Sequence, residues 1–214
     1  LVMIFFNTSC KMDAHKVNGE SCDVQISNMQ VTKSVNNAIS LITDLQDGSI
    51  EFKSEGGKDY FSDPNGKLSN NTAPILLTKI DNTKPFTLTS KLTPDFNEMY
   101  DAGTLYLYVN DGLWQKFAFE MDERGKYRIV TVKTIDYSDD NNHDVILQES
   151  VYMKISSDTQ TIGFYYSLDS IEWQMVRLCK DDYPKELWVG LGAQSPIGEG
   201  NSVKFEESSL TMNH

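Results

Sequence analysis

From about residue 38 onward, apolar and polar residues alternate with period two, the pattern of strands that bury one face. Leu105, Leu107 and Val109 fall on one side of the run 104–110. Phe117, Phe119 and Met121 share a side of the next run, with Trp114, Lys116 and Glu120 on the other. Val130 and Val132 alternate with Thr131 and Lys133. Further on, Ile162, Phe164, Tyr166 and Leu168 alternate with Gly163, Tyr165 and Ser167, and Leu187, Val189, Leu191 and Ala193 form a fifth apolar side. Turn signals separate the runs: Asp47-Gly48, Asp63-Pro64-Asn65-Gly66, Asn110-Asp111-Gly112, Glu123-Arg124-Gly125 and Ile197-Gly198-Glu199-Gly200. Asn110-Asp111-Gly112 reads as a hairpin in which Gly112 supplies a positive φ. No long segment has helical period. The pattern predicts roughly ten to twelve short strands in an all-β sandwich or jelly roll.

The chain has 214 residues, a size that all-β sandwiches reach as one domain. Its 10 Tyr, 10 Phe and 3 Trp suit pleated surfaces. The net charge of -12 argues against phosphate backbones and against an anionic membrane surface as partners. The three cysteines, Cys10, Cys22 and Cys179, make no disulfide scaffold and no metal-binding pair. Cys22 and Cys179 pair if the N-terminal arm docks; otherwise both are free thiols.

The start of the chain has a different character. Leu1 to Phe6 are all apolar, Asn7-Thr8-Ser9-Cys10 follow, and the chain turns polar at Lys11. This resembles the end of a bacterial lipoprotein signal, which implies that Cys10 carries a lipid anchor and that membrane contact runs through the anchor alone. The alternative is a buried first strand. Six apolar residues are too few to cross a bilayer, which takes about 20. On the lipoprotein reading, residues 1–10 are a signal remnant, 11–37 a polar spacer and 38–214 the domain, and the protein is secreted or tethered to a bacterial envelope.

The order of short signatures along the body resembles domain-of-unknown-function family 1349, also called the regulation-of-enolase family. The signatures include Asp59-Tyr60-Phe61, Ala73-Pro74-Ile75-Leu76-Leu77, Tyr100-Asp101-Ala102-Gly103, Trp114-Gln115-Lys116, Tyr166-Ser167-Leu168-Asp169, Val189-Gly190-Leu191 and Ser195-Pro196. Tyr60-Phe61 replaces the family's Phe-Trp, and Ser170 stands where Gly usually closes the turn. The resemblance implies a concanavalin A-like jelly roll of two antiparallel sheets, related in fold to domains found beside glycosidases. It implies no assigned activity.

With the apolar sides assigned to the core, the other sides carry Tyr106, Tyr108, Trp114, Lys116, Glu120, Thr131, Lys133, Tyr165 and Arg177, and Trp188 can join them. On a concave sheet, flat aromatics stack on sugar rings while charged groups bond the hydroxyls. The competing reading makes these residues a second buried layer under a long loop, with Asp59–Thr72 as the cover.

Catalysis has little support. Glu120 and Asp122 would share a strand face, but the third carboxylate of a glycosidase strand falls on Arg124 or Gly125. Retaining hydrolysis needs carboxyls about 5–5.5 Å apart across the bond. His15, His143 and His214 have no ligand spacing and no nucleophile partner. Asp140, Asn142 and Asp144 have the spacing of a calcium loop, but Val145 and Val151 replace its Gly and Glu, so a solvated turn competes with calcium. No other cofactor is implied. The leading expectation is a non-catalytic carbohydrate-binding or accessory module, with a glycan partner. A protein-interaction or regulatory module comes second and a glycoside hydrolase last.

Overall fold

The computed structural model describes residues 17–212. Its strands are β1 Glu20–Ile26, β2 Met29–Val35, β3 Ile42–Asp44, β4 Ile50–Glu55, β5 Tyr60–Ser62, β6 Ser69–Asn71, β7 Ile75–Asp81, β8 Phe86–Pro94 and β9 Ala102–Asn110. After these come β10 Leu113–Met121, β11 Tyr127–Ile135, β12 Tyr137–Ile146, β13 Val151–Ser157, β14 Thr161–Ser167, β15 Gln174–Lys180, β16 Glu186–Gln194 and β17 Gly200–Met212. The one helical element among the described residues is a 3-10 turn, Ala38–Leu41.

Two antiparallel sheets face each other. One has eight strands in the order β1-β2-β7-β16-β9-β10-β11-β12; the other has seven, β15-β14-β13-β8-β17-β4-β3. A separate ribbon pairs β5 with β6. This is the expected concanavalin A-like sandwich. Its inter-sheet core holds Leu105, Leu107, Phe117, Phe119, Phe164, Val189 and Leu191, as the alternation predicts. Phe117 and Phe164 meet edge to face across the sheets, with centroids 5.6 Å apart.

Two expectations about the architecture are corrected. The polar spacer at 11–37 is not a spacer over its second half: β1 and β2 extend the eight-stranded sheet, and Ile26, Met29, Val31 and Val35 are buried. Both strands carry period two, Cys22, Val24 and Ile26 in β1 and Met29 and Val31 in β2, but the Asp, Gln, Asn and Lys between and around them make the segment read as a tether. The turn expected at Asp140 to Asp144 lies within strand β12, whose residues are mostly polar and exposed because it forms the opposite edge of the sheet. Of the two readings left open for Cys22 and Cys179, the structure has both as free thiols, on β1 and β15 at edges of different sheets.

The hairpin at Asn110-Asp111-Gly112 forms, with a register shift at Leu113/Trp114, but Gly112 is not among the positive-φ residues. Its small size matters instead, because a Cβ there would meet Asp136 Oδ1 at 3.1 Å. At the family's Gly position, Ser170 takes the left-handed conformation itself, with φ 62°. Residues 1–10, with Cys10, lie outside the described residues.

Candidate functional site

The outer face of the eight-stranded sheet brings Tyr106, Tyr108, Trp114, Lys116 and Glu120 together by register. Trp114 sits opposite Tyr108, and Lys116 opposite Tyr106. Trp188 stands beside Tyr108 on β16, with Lys33 Nζ 5.1 Å from its ring centroid. Tyr106 has room because β16 carries Gly192, where a Cβ would meet the Tyr106 ring at 2.7 Å.

This face is not an open groove. The segment 56–72 crosses it, and Tyr60 inserts its ring among Tyr106, Tyr108 and Trp114 at centroid distances of 6.1, 6.2 and 5.7 Å. The four rings are 0–1% exposed. Together with Val130, Val132, Ile75 and Leu77 they form a second apolar layer. The binding role expected of Tyr106, Tyr108 and Trp114 is therefore corrected: a ring sealed on both faces cannot stack on a sugar.

The ribbon is latched by Lys116. Its Nζ, 2% exposed as a residue, donates to Asp59 Oδ1 at 3.0 Å, to the Tyr60 carbonyl at 2.9 Å and to Gln194 Oε1 at 2.7 Å. Three acceptors offset the cost of taking an ammonium out of water. Gln194 then has only its amide nitrogen to offer, and it donates to Glu120 Oε2 at 3.2 Å and the Tyr100 carbonyl at 2.9 Å. Glu120 is buried without an ion pair among the described residues. Burial pushes its carboxyl up to about 8, Asp140, Asp59 and Asp122 add to the rise, and Lys116 opposes it. Asp122 does not pair with Glu120 for chemistry. It is tied to Arg128 at 2.9 Å and to the amides of Arg124 and Lys126.

The other four expected residues lie elsewhere. Thr131 and Lys133 stand opposite Phe117 and Gln115, on the inter-sheet side, while Val130 and Val132 take the outer face. The alternation misleads here because β11 lies near the sheet edge, where the space between the sheets is polar. Arg177 also points between the sheets, with Nη1 3.1 Å from Thr131 Oγ1. Tyr165 lies on the outer face of the seven-stranded sheet, with Lys154 Nζ between it and Trp173 at 4.8 and 3.9 Å from the ring centroids.

A pocket of ≈ 710 Å³ opens at the end of the covered layer, where the 110–112 turn meets the ribbon. Ser62, Ser69, Asn71, Asn110, Asp111 and Asp136 supply polar groups, and Leu113 and Ile135 an apolar wall. Asp111 Oδ1 accepts from Tyr108 OH at 2.5 Å and from Tyr60 OH at 3.1 Å, and Asp111 O accepts from Trp114 Nε1 at 3.2 Å. The buried Asn71 Oδ1 has no partner. Sequence reasoning missed this pocket, and its one usable signal was Asn110-Asp111-Gly112. Among the described residues, no group of three or more His, Cys, Asp or Glu converges to hold a metal.

Fold and site together define a concanavalin A-like sandwich with one sheet face closed by its own loop. The family model described as "Protein of unknown function (DUF1349)" matches residues 38–213, and the chain belongs to that family. No curated protein matches the sequence. Among solved structures, a functionally unknown protein from Saccharomyces cerevisiae is 20% identical, with TM-score 0.75, over 85% of this chain and 96% of that one. The xylan beta-1,4-xylosidase from Bacillus halodurans C-125 is 15% identical, with TM-score 0.62, over 94% of this chain but 41% of the enzyme. Lectin I-B4 from Griffonia simplicifolia, in its metal-free form, is 11% identical, with TM-score 0.55, over 81% of this chain and 91% of the lectin. At these identities the likeness is one of fold.

Proposed function

We propose that the chain is a non-catalytic carbohydrate-binding or accessory module of the cell envelope, and that its ligand enters the polar pocket between the 110–112 turn and the ribbon. The carrying observation is the lining of that pocket. Asn and Asp side chains fixed by the turn lie beside Leu113 and Ile135, and Asn71 Oδ1 lacks a partner. Sugars offer many hydroxyls and one apolar face, which such a lining accepts. The lectin and xylosidase likenesses support the reading only as relatives in fold.

The test is a glycan array followed by titration of the hits. Asn71→Ala is expected to remove binding and leave the melting temperature nearly unchanged. Absence of any hit across broad panels, or full binding by Asn71→Ala, would sink the reading. A protein-interaction module without sugar binding is the second reading. It draws on the exposed side chains Met175 and Leu178 of edge strand β15 and Ile171 in the turn before it, and predicts a partner in pull-downs that Leu178→Lys releases.

A further inference from the structure

Two turns meet in the lining of the polar pocket: 110–112, between β9 and β10, and Asp136, between β11 and β12. The Asp136 amide ties them by donating to the Gly112 carbonyl at 2.8 Å. Asp136 holds a left-handed φ of 62° at this junction. Because residue 112 is glycine, the Asp136 carboxylate can lean over the first turn. The point where a Cβ would stand on Gly112 lies 3.1 Å from Asp136 Oδ1 and 3.5 Å from Asn110 Oδ1. Two acceptor oxygens therefore converge above a bare backbone.

The charge of the lining is one-sided. Asp111 and Asp136 line the pocket, and no Lys or Arg does. Neither carboxylate forms an ion pair among the described residues. Asp111 Oδ1 is occupied by the Tyr108 and Tyr60 hydroxyls, whereas Asp136 is exposed. Ile135, 61% exposed, and the half-buried Leu113 border the same space. At ≈ 710 Å³ that space far exceeds the roughly 30 Å³ share of one water, so it has room for a sugar ring.

Carboxylates around an open space favour a cation, and an ammonium answers them with charge-assisted hydrogen bonds. Calcium fits this lining less well. It takes about six to eight oxygen ligands, no third carboxylate converges among the described residues, and a bare ion makes no use of Ile135 or Leu113. A uronate would set its own carboxylate against Asp111 and Asp136, a like-charge contact.

We propose that the pocket selects an amino sugar with a free amine, of the hexosamine class. Its ammonium is taken by Asp136 Oδ1 and Asn110 Oδ1 above Gly112, and the apolar face of its ring lies on Ile135. The inference rests on the reading of this pocket as a glycan site and names the ligand class. Acetylating the amine removes the charge that Asp136 recognises.

The experiment is calorimetric titration of the whole chain with glucosamine, N-acetylglucosamine, glucose and glucuronate, with the Gly112 amide and Ile135 methyl resonances followed to place the ligand. Glucosamine should bind at least about tenfold more tightly than glucose. N-acetylglucosamine should bind no more tightly than glucose, and glucuronate should bind most weakly. Asp136→Asn keeps the shape and suits a left-handed backbone, so it should fold and bring glucosamine to within about twofold of glucose. Glu172→Gln, in the exposed turn between β14 and β15 of the other sheet, removes the same charge and should change nothing. Equal affinity for glucosamine and glucose, or a preference for glucosamine that survives Asp136→Asn, would overturn the proposal. If Asn71→Ala still abolishes binding in either case, the glycan pocket stands without its amine specificity. Silence of all four sugars beside hits elsewhere on a glycan array overturns this proposal alone; no hit anywhere removes both.

Discussion

The two buried layers of this molecule are built by different means. Between the sheets, apolar side chains from alternate strand positions meet with few polar groups, and ordinary strand pairing supplies the geometry. On the outer face of the eight-stranded sheet, a layer of similar aromatic weight is completed by a ribbon whose strands are three residues each. That second layer mixes rings with a buried ammonium, a buried carboxyl and a connecting amide. The first layer is specified by residue class alone. The second is specified by hydrogen bonds with defined partners, so single polar substitutions should act on it strongly.

Removing everything before Ala38 should separate the extent matched by the family from what this chain needs, and it has the largest expected effect. The shortened chain loses β1 and β2, uncovers the β7 edge and exposes the apolar positions those strands bury. Loss of cooperative unfolding is expected by calorimetry; an unchanged transition would return those strands to the role of spacer. Next come Phe164→Ala and Trp114→Ala, one from each layer. Each should cost about 3–5 kcal/mol in urea unfolding, as truncated buried aromatics do. If Trp114→Ala proves nearly neutral in stability, the outer layer is not a core.

Glu120→Gln follows, with an effect of a few kcal/mol that depends on pH. The native carboxyl is raised from 4.5 to about 8, so the native state holds the proton more tightly than the unfolded chain. Its contribution is full below about 4.5 and is lost as pH rises through about 8. Thermal melts should therefore show the wild type losing stability over that window while Glu120→Gln stays flatter and melts higher at alkaline pH. Parallel curves would place Glu120 in water. The smallest effect is expected from Tyr165→Ala on the open face of the other sheet, about 1 kcal/mol or less.

How much was legible in the sequence follows the same division. Leu105, Leu107, Phe117, Phe119, Ile162 and Phe164 announced the inter-sheet core, because period two is a local signal. Val130 and Val132 were assigned to the wrong layer because both faces of β11 are buried, and the apolar face there is the outer one. β1 and β2 were missed although Cys22, Val24, Ile26, Met29 and Val31 alternate with polar residues, because the polar composition around those short runs reads as a tether. The aromatic set on the outer face was found correctly, and its cover, the Asp59–Thr72 segment, stood in the competing reading, though without naming Tyr60 as the residue that enters the layer. Tyr60 meets Trp114 through a contact that no short-range pattern encodes, and only Asp59-Tyr60-Phe61 hinted at it. Arg177, Thr131 and Lys133 were singled out for the wrong face and still came together, joined by His143.

The latch on the ribbon also bears on when things happen during folding. Lys116 reaches Asp59 across 57 positions of the chain and Gln194 across 78. Closing loops of that size costs entropy before any contact compensates it, so the three residues meet only once β9, β10 and β16 are already side by side. Docking of the ribbon is then a late event, and its amides should gain protection from solvent exchange after those of the central strands.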